Sequence, residues 1–336
     1  MKLAIDVMGG DHAPDAILEG CLQALSMLQP ETELLLFGDS AAINGSLRTV
    51  GDAGGRLHVY PTTEVIGCDE APTRAIRAKK DSSLVRAVQA VADGEADCVV
   101  SAGNTGALLT AATLIIRRID GVKRPALAPL LPTVAGNGVL LIDSGANTDC
   151  KPAYLQQFAL MGAAYMHSVQ GIENPRVGLL NNGAEAEKGS ELTKAAHALL
   201  LETPVNFAGN CEARDALSGD VDVLVCDGFD GNVLLKGIEG TVASMLTLLK
   251  QNLYATLRTK AGAALAKPAF RALKHKLDYT EHGGAPLLGV KGGVIKAHGS
   301  SNATAFCNAV LQAERLVAAD VTGRISQALS ALVKED

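Results

Sequence analysis

The sequence predicts an α/β protein whose mostly parallel sheet is covered by helices on both faces. Short apolar segments alternate with amphipathic segments along the chain, which is the strand-then-helix rhythm of such folds. The short segments are continuous runs of Val, Leu and Ile, as is typical of strands that are buried on both sides. Hydrophobic residues make up 48% of the chain and aromatic residues only 3%. The core is therefore built mainly from aliphatic side chains.

Apolar runs predict the strands, and a period of about 3.6 residues predicts the helices. The predicted strands cover residues 3–7, 34–37, 57–60, 98–100, 139–142, 177–180 and 221–225. The predicted helices cover residues 14–28, 82–92 and the apolar stretch 107–116. With 336 residues, the chain is expected to form one α/β unit, 1–336, which is long enough for two lobes around a cleft.

The segment 239–282 predicts a helical protrusion from this unit. Residues 240–277 contain seven Lys and Arg and no Asp or Glu. Apolar residues recur at helical spacing from Val242 to Leu257, and Pro268 suits the first turn of a second helix. A basic, amphipathic pair of helices is therefore expected. This segment could bind a partner or a membrane. The alternatives are that it contacts a second copy of the chain or is an ordinary solvated helix face.

Composition excludes several functional classes. A formal net charge of -6 and the absence of Trp argue against a nucleic-acid binder. Seven cysteines without a CxxC pair indicate a reduced, cytoplasmic protein. No targeting segment is recognisable at the N-terminus, and the apolar stretch 107–116 is too short to span a bilayer. Cytoplasmic localisation is the expectation.

Five predicted strand ends are followed by Gly together with Asn, Asp or Ser. Ligands of open α/β sheets bind beyond the carboxyl ends of the strands, and helix N-termini there favour anions. Each loop alone is also compatible with a simple turn. The five loops are Gly103-Asn104-Thr105-Gly106, Asp143-Ser144-Gly145-Ala146-Asn147, Asn181-Asn182-Gly183, Asp227-Gly228-Phe229-Asp230-Gly231-Asn232 and His298-Gly299-Ser300-Ser301-Asn302.

Cations lie close to these loops in sequence. Lys188 follows the third loop, Lys236 follows Asn232, and Lys291 and Lys296 flank the run before His298. Each lysine is also compatible with an ordinary solvated side chain. The sequence contains no GxxxxGK(S/T) phosphate loop, no GxGxxG after a strand, no GxSxG elbow and no HExxH. The combination of many neutral donors with few cations predicts an anion site without a side-chain nucleophile.

The motifs, taken together and in order, resemble the bacterial phosphate acyltransferases of the PlsX type. The resemblance extends from Met1 to about Val317. It rests on MKLAIDVMGGDHAPDAILEG, SAGNTGALL, LIDSGAN, EKGSELTKAA, GNCEARD, CDGFDGNVLLK and GGAPLLGVKGGVIKAHGSSN.

The resemblance implies transfer of a long-chain fatty acyl group from acyl carrier protein to inorganic phosphate. The acyl phosphate product would feed a membrane glycerol-phosphate acyltransferase in phospholipid synthesis. The implied fold is a three-layer α/β/α sandwich similar to phosphate acetyltransferases and the isocitrate-dehydrogenase-like superfamily. A homodimer at the inner membrane surface, with no metal and no organic cofactor, is implied as well. A phosphate acetyltransferase using short acyl-CoA, an oxidoreductase of the same broad fold and a non-catalytic lipid-binding scaffold are the alternatives.

The resemblance also assigns site residues by motif position. Lys188, His298 and Asn232 are the catalytic candidates, with Lys188 as the cation for phosphate. The substrate-binding candidates are Gly103, Asn104, Thr105, Gly106, Asp143, Ser144, Gly145, Asn147, Asn181, Asp227, Gly228, Lys236, Ser300 and Ser301. The basic side chains expected to contact an acidic carrier protein or an anionic membrane are Lys260, Lys267, Arg271, Lys274 and Lys276.

Overall fold

A computed structural model of the chain describes residues 1–48, 55–277 and 283–333. The strands are β1 (Lys2–Asp6), β2 (Glu33–Gly38), β3 (Leu57–Pro61), β4 (Cys98–Ser101), β5 (Ala126–Leu127), β6 (Leu130–Leu131), β7 (Val139–Ile142), β8 (Arg176–Asn181), β9 (Asn206–Glu212), β10 (Val223–Val225), β11 (Ala285–Leu288) and β12 (Gly293–Lys296).

Helices connect most of these strands. They are α1 (Asp15–Leu25), α2 (Ser40–Arg48), α3 (Pro72–Ala78), α4 (Ser83–Ala92), α5 (Thr105–Ala111), α6 (Pro152–Gln170), α7 (Glu191–Leu201), α8 (Gly228–Leu253), α9 (Leu257–Leu277), α10 (Ala303–Ala318) and α11 (Val321–Val333). A π-helical turn, Ala112–Ile116, continues α5, so the helix predicted over 107–116 is present, but it is only partly buried because Leu114 is exposed.

The first sheet has the order β3-β2-β1-β4-β12-β11-β5, and β11 is its antiparallel strand. Alternate residues of β1 enter different cores because successive side chains of a strand point to opposite faces. Leu3 and Ile5 pack in the cluster that contains Ile17 of α1. Ala4 packs in the cluster that contains Val88 of α4. Helices therefore cover both faces of this sheet, as predicted.

The second sheet has the order β6-β7-β10-β8-β9 and is parallel except for β6. Phe158 of α6 belongs to the cluster that also contains Ile142, Val225 and Leu3, so one core extends from this sheet to the first. The mostly parallel α/β class is confirmed. The strands, however, are divided between two sheets, because the short β5 and β6 carry the chain from one sheet to the other.

The basic segment forms the later turns of α8 and the whole of α9, whereas the buried residues of α8, Gly228 and Gly231, lie at its start. Length and composition alone would allow α8 to cross a bilayer. Its early turns pack on the second sheet instead, where Leu234 and Leu235 contact the apolar cluster. Residues 278–282 of the predicted segment, and the side chains of Lys274 and Lys276, lie outside the described part of the chain.

The prediction that Pro268 lies in the first turn of the second helix is wrong. Pro268 lies in the interior of α9, which begins at Leu257. The start of the helix is set by Thr256 and Thr259, because the hydroxyl of each accepts a hydrogen bond from the backbone N–H of the other. This reciprocal capping satisfies N–H groups that lack partners within the helix.

Candidate active site

A cavity of about 330 Å³ lies where the carboxyl ends of β4, β7, β10 and β12 meet. Residues of both sheets line it, and most of its polar groups come from loops and helix starts. The polar side chains in the lining belong to Thr105, Ser144, Asn232, Lys236, Glu239, Lys296, His298 and Ser301. Leu127, Pro129, Leu130 and Leu235 form an apolar wall. The cavity thus combines cations and hydroxyls with a surface suited to an aliphatic group.

The loops after β1, β4 and β12 are packed against one another on the first-sheet side of the cavity. The backbone N–H of Asp11 donates to the carbonyl of Gly299 across 2.8 Å. A Cβ at Gly9 would overlap the carboxylate of Asp6 and approach the backbone nitrogen of Gly103 to 2.8 Å. Glycine at position 9 therefore allows the loops to approach each other closely.

Lys296 is the buried cation of the cavity. Its Nζ donates to the carbonyl of Ala102 at 3.2 Å and also to the carbonyl of Ala297. Burial lowers the pKa of Lys296 to about 8, although Cys68 and Asp6 oppose the shift. Asp6 accepts hydrogen bonds from Ser83 and Ser101, and burial raises the pKa of its carboxyl. Lys296 can thus present a charged N–H to an anion at neutral pH.

His298 presents a defined tautomer. Its Nδ1 accepts a hydrogen bond from the backbone N–H of Ser300 at 3.2 Å, which places the proton of the neutral ring on Nε2. Burial lowers the pKa of His298; Lys236 and Lys296 lower it further, while Glu239 raises it. At neutral pH the side chain is therefore a neutral donor.

The Asp143 carboxylate organises the loop after β7. It is fully buried and accepts hydrogen bonds from the backbone N–H groups of Leu127, Gly145, Ala146 and Asn147, and from the Asn147 side chain. These bonds turn Ser144 and Gly145 toward the cavity. The side chains of the predicted binding residues Asp143 and Asn147 are thus engaged in hydrogen bonds within this loop and to residues 125–127.

The start of α8 is docked on this loop. The backbone N–H of Gly228 donates to the carbonyl of Asn147 at 2.9 Å. A Cβ at Gly231 would overlap the carbonyl of Asp143 and come within 2.7 Å of the sulfur of Cys226. Glycine at these positions brings Asn232 and Lys236 to the edge of the cavity. Lys236 pairs with Glu239 at 3.3 Å.

Two further predicted binding residues act as helix caps. Asn104 accepts from the N–H of Ala107 and donates to the carbonyls of Gly67, Cys68 and Glu70. The Asp227 carboxylate caps α8 by accepting a hydrogen bond from the backbone N–H of Phe229, and it also accepts one from the backbone N–H of Cys150. Because these groups are already hydrogen-bonded, their contribution is to hold the surrounding loops in place.

Four of the five predicted loops supply residues to the cavity, and the third does not. Asn181 donates to the carbonyl of Lys188 at 3.1 Å, within its own loop after β8. Lys188 is exposed there and is not part of the cavity lining. Lys296, which the sequence indicated only as a cation near the His298 loop, does line the cavity. The available signal was a lysine that ends an apolar strand directly before the His298 loop.

Across residues 1–48, 55–277 and 283–333, no group of three or more His, Cys, Asp or Glu side chains is arranged to hold a metal ion.

Comparison with known proteins identifies the family. The family model described as fatty acid synthesis protein matches residues 1–324. A phosphate acyltransferase of Exiguobacterium sp. is 50% identical over 329 residues, which cover 98% of this chain and 99% of that protein. One of Halalkalibacterium halodurans is 51% identical over 322 residues, covering 96% of this chain and 94% of that protein. The chain belongs to the phosphate acyltransferase family. The resemblance in the motifs and the expected acyltransferase activity in lipid synthesis are thereby confirmed.

Solved structures confirm the fold expected of a phosphate acyltransferase. A phosphotransacetylase of Streptococcus pyogenes matches with a TM-score of 0.64 at 17% identity, covering 95% of this chain and 94% of that one. A branched-chain phosphotransacylase of Enterococcus faecalis matches with a TM-score of 0.56 at 17% identity, covering 94% and 99%. At this identity the likeness establishes the fold alone.

Proposed function

We propose that this phosphate acyltransferase transfers a long-chain acyl group from acyl carrier protein to inorganic phosphate, by direct attack of the bound phosphate on the thioester. The observation that carries the proposal is the lining of the cavity. It pairs a buried lysine and a neutral histidine with hydroxyl and amide donors, beside an apolar wall. Such a lining suits an anionic nucleophile and an aliphatic acyl group.

Thiol catalysis is not supported by the cavity lining. None of the described residues that line the cavity is a cysteine, and the exposed Cys68 lies outside that lining. Six of the seven cysteines are buried, and burial raises the pKa of Cys150 to about 12 and that of Cys211 to about 11. A buried thiol of this kind is unreactive because the thiolate is the nucleophilic form. Phosphate, which is already an anion, needs no such activation.

In the proposed reaction, Lys296 and the hydroxyls of Thr105 and Ser301 hold the phosphate, while the Ser144 hydroxyl donates to the carbonyl of Leu127. One phosphate oxygen attacks the carbonyl carbon of the thioester. The new C–O bond forms as the C–S bond breaks, and the sulfur leaves with the electron pair as a thiolate. Nε2–H of His298 and the amide of Asn232 donate to the carbonyl oxygen while it carries negative charge. Holding both reactants in the cavity supplies much of the remaining rate enhancement.

The direct test uses the purified protein with palmitoyl carrier protein and phosphate, and traps acyl phosphate as a hydroxamate. Acyl phosphate formation, with acetyl-CoA turned over far more slowly, is the expected result. Preferential turnover of acetyl-CoA would make the protein a phosphate acetyltransferase. Absence of acyl phosphate with every acyl donor would indicate that the protein is a non-catalytic lipid-binding scaffold.

A serine-linked intermediate is the competing mechanism. The Ser300 hydroxyl lies 2.8 Å from Nδ1 of His298, so the pair has the spacing of a nucleophile and its base. Ser300→Ala is expected to keep activity within about tenfold of the wild type, because Ser300 here only orients the ring. Labelled acyl group bonded to Ser300 after acid quenching would replace direct attack with a two-step mechanism.

We propose that the protein is located at the cytoplasmic face of the inner membrane, and the helical pair α8 and α9 supports this. Leu257 and Leu265 are each 86% exposed, and Lys260 and Lys267 lie beside them in sequence. Exposed leucines next to lysines suit the interface of an anionic bilayer. This position would deliver acyl phosphate to the membrane acyltransferase that consumes it.

A homodimer is proposed as well, to be checked by light scattering.

A further inference from the structure

A second concavity, of about 910 Å³, lies beside the candidate active site. It is called the basic recess here. Its cations are Arg118, Lys123, Arg124 and Lys151, and none of the described residues in its lining is an Asp or a Glu. Among the described residues, none of these four side chains forms an ion pair with a carboxylate. Four unneutralised cations in one depression constitute a site for a polyanionic ligand.

The basic recess and the cavity share structural elements. Ala146 and Asn147 line the recess, while Ser144 and Gly145 of the same loop line the cavity. Helix α5 connects them too: Thr105 at its start lines the cavity, and Leu109 further along lines the recess. A ligand held in the recess therefore lies next to the reaction site.

The geometry points to the basic recess as the docking site for the acidic face of the acyl carrier protein. This inference rests on the proposed function, since it assumes a carrier-borne thioester. A flat bilayer cannot enter a depression, whereas a rounded acidic protein surface can. The apolar side chains of Leu114 and Tyr154 in the lining provide contact area between the cations. Electrostatic attraction would steer the carrier, and the short path to the cavity would place its thioester arm.

The test compares charge reversals in the full-length protein. In Arg124→Glu/Lys151→Glu, two recess cations are inverted. The control Arg77→Glu/Lys80→Glu inverts two exposed cations, one in α3 and one just beyond its C-cap, outside both concavities. The recess variant is expected to raise KM for acyl carrier protein roughly tenfold or more at low salt, with the effect shrinking as salt rises. The control is expected to stay near the wild-type value.

Acyl-pantetheine separates docking from catalysis, because it has the thioester arm but neither phosphate nor protein. Both variants should use it at the wild-type rate. An unchanged carrier KM in the recess variant would overturn the docking site while leaving the proposed function intact. If the recess variant changes its oligomeric state while its KM for the carrier is unchanged, the docking site is also overturned. The recess would then be an interface between subunits. Failure of the wild-type protein to use acyl carrier protein would instead defeat the proposed function.

If the double reversal does not fold, Arg124→Gln/Lys151→Gln keeps the test open. It removes the charges without adding carboxylates, and a smaller rise in carrier KM with the same salt dependence is expected. A reversal of Lys260 and Lys267 on α9 provides the final comparison, because it should leave carrier KM unchanged. A rise there, without one in the recess variants, would move the docking site to the helical pair.

Discussion

Nδ1 of His298 accepts a hydrogen bond from the backbone N–H of Ser300 across 3.2 Å, which leaves Nε2–H as the donor of the neutral ring. We predict that His298→Ala lowers kcat by about 10²–10³, the usual cost of losing one donor to an oxyanion. His298→Gln should retain more activity than His298→Asn, because a glutamine amide reaches the position of Nε2. Steady-state kinetics on the three variants checks this, and equal losses in all three would contradict a donor role.

Lys296 gives phosphate binding a pH dependence. Burial lowers the pKa of Lys296 to about 8, so the ammonium is charged below that pH and loses its charge above it. KM for phosphate is therefore expected to rise above pH 8. Lys296→Met should raise KM for phosphate roughly 10–100-fold at neutral pH and remove that alkaline limb.

Lys188→Met is the matched control for Lys296. Lys188 is exposed and outside the cavity lining, so its removal is expected to change KM for phosphate by less than about threefold, as for a screened surface charge. The opposite ranking of the two variants would assign the phosphate cation to Lys188, as the motif position implied.

Gly231 and Gly237 lie in the same helix but differ in their surroundings. A Cβ at Gly231 would overlap the carbonyl of Asp143, whereas a Cβ at Gly237 would have no atom within 4 Å. Gly231→Ala is expected to lower the free energy of unfolding by about 1–3 kcal/mol. Gly237→Ala should be neutral or stabilising by up to about 1 kcal/mol, because alanine favours the helix. Thermal and denaturant unfolding of both variants measures the contrast; similar stabilities would show that the α8 start is not closely docked.

Asp143→Asn tests the loop between the cavity and the basic recess. The substitution turns an NH₂ group toward N–H donors that the carboxylate now satisfies. We expect a loss of roughly 2–4 kcal/mol in stability and a lower kcat, because buried donors lose their acceptor. Asp143→Glu keeps the negative charge but moves the carboxylate, so it should also lower stability and kcat if the position of the carboxylate in the loop is what matters. Wild-type stability in Asp143→Asn would contradict this role.

Reversal of Lys267, Arg271 and Lys274 to Glu probes the helical pair. Binding to vesicles that contain anionic lipid should fall, by about tenfold or more for three reversed charges, and approach that seen with neutral vesicles. Acyl-pantetheine turnover and the helical circular dichroism should not change. Unaltered vesicle binding across a salt series would exclude these cations from any membrane contact.

Seven of the described strands were predicted from the sequence, because buried parallel strands are continuous apolar runs, whereas β5, β6, β9, β11 and β12 were not predicted. The sequence was a poorer guide to what each polar residue does. Asn104 and Asp227 are suitable ligand-binding residues by type, yet their side chains cap helices. The sequence alone does not distinguish a residue that caps a helix from one that contacts a ligand. Lys296 was noted only as a cation near the His298 loop, because its burial depends on the pairing of β4 with β12, a contact between residues almost two hundred positions apart.

The five residues from Asp143 to Asn147 face two concavities at once while one carboxylate holds them together. If docking in the basic recess displaces this segment, thermodynamic linkage requires reciprocity: the factor by which bound carrier changes phosphate affinity equals the factor by which bound phosphate changes carrier affinity. Measuring each dissociation constant at saturating and zero concentrations of the other partner would reveal whether the enzyme assembles its two substrates cooperatively or in independent events.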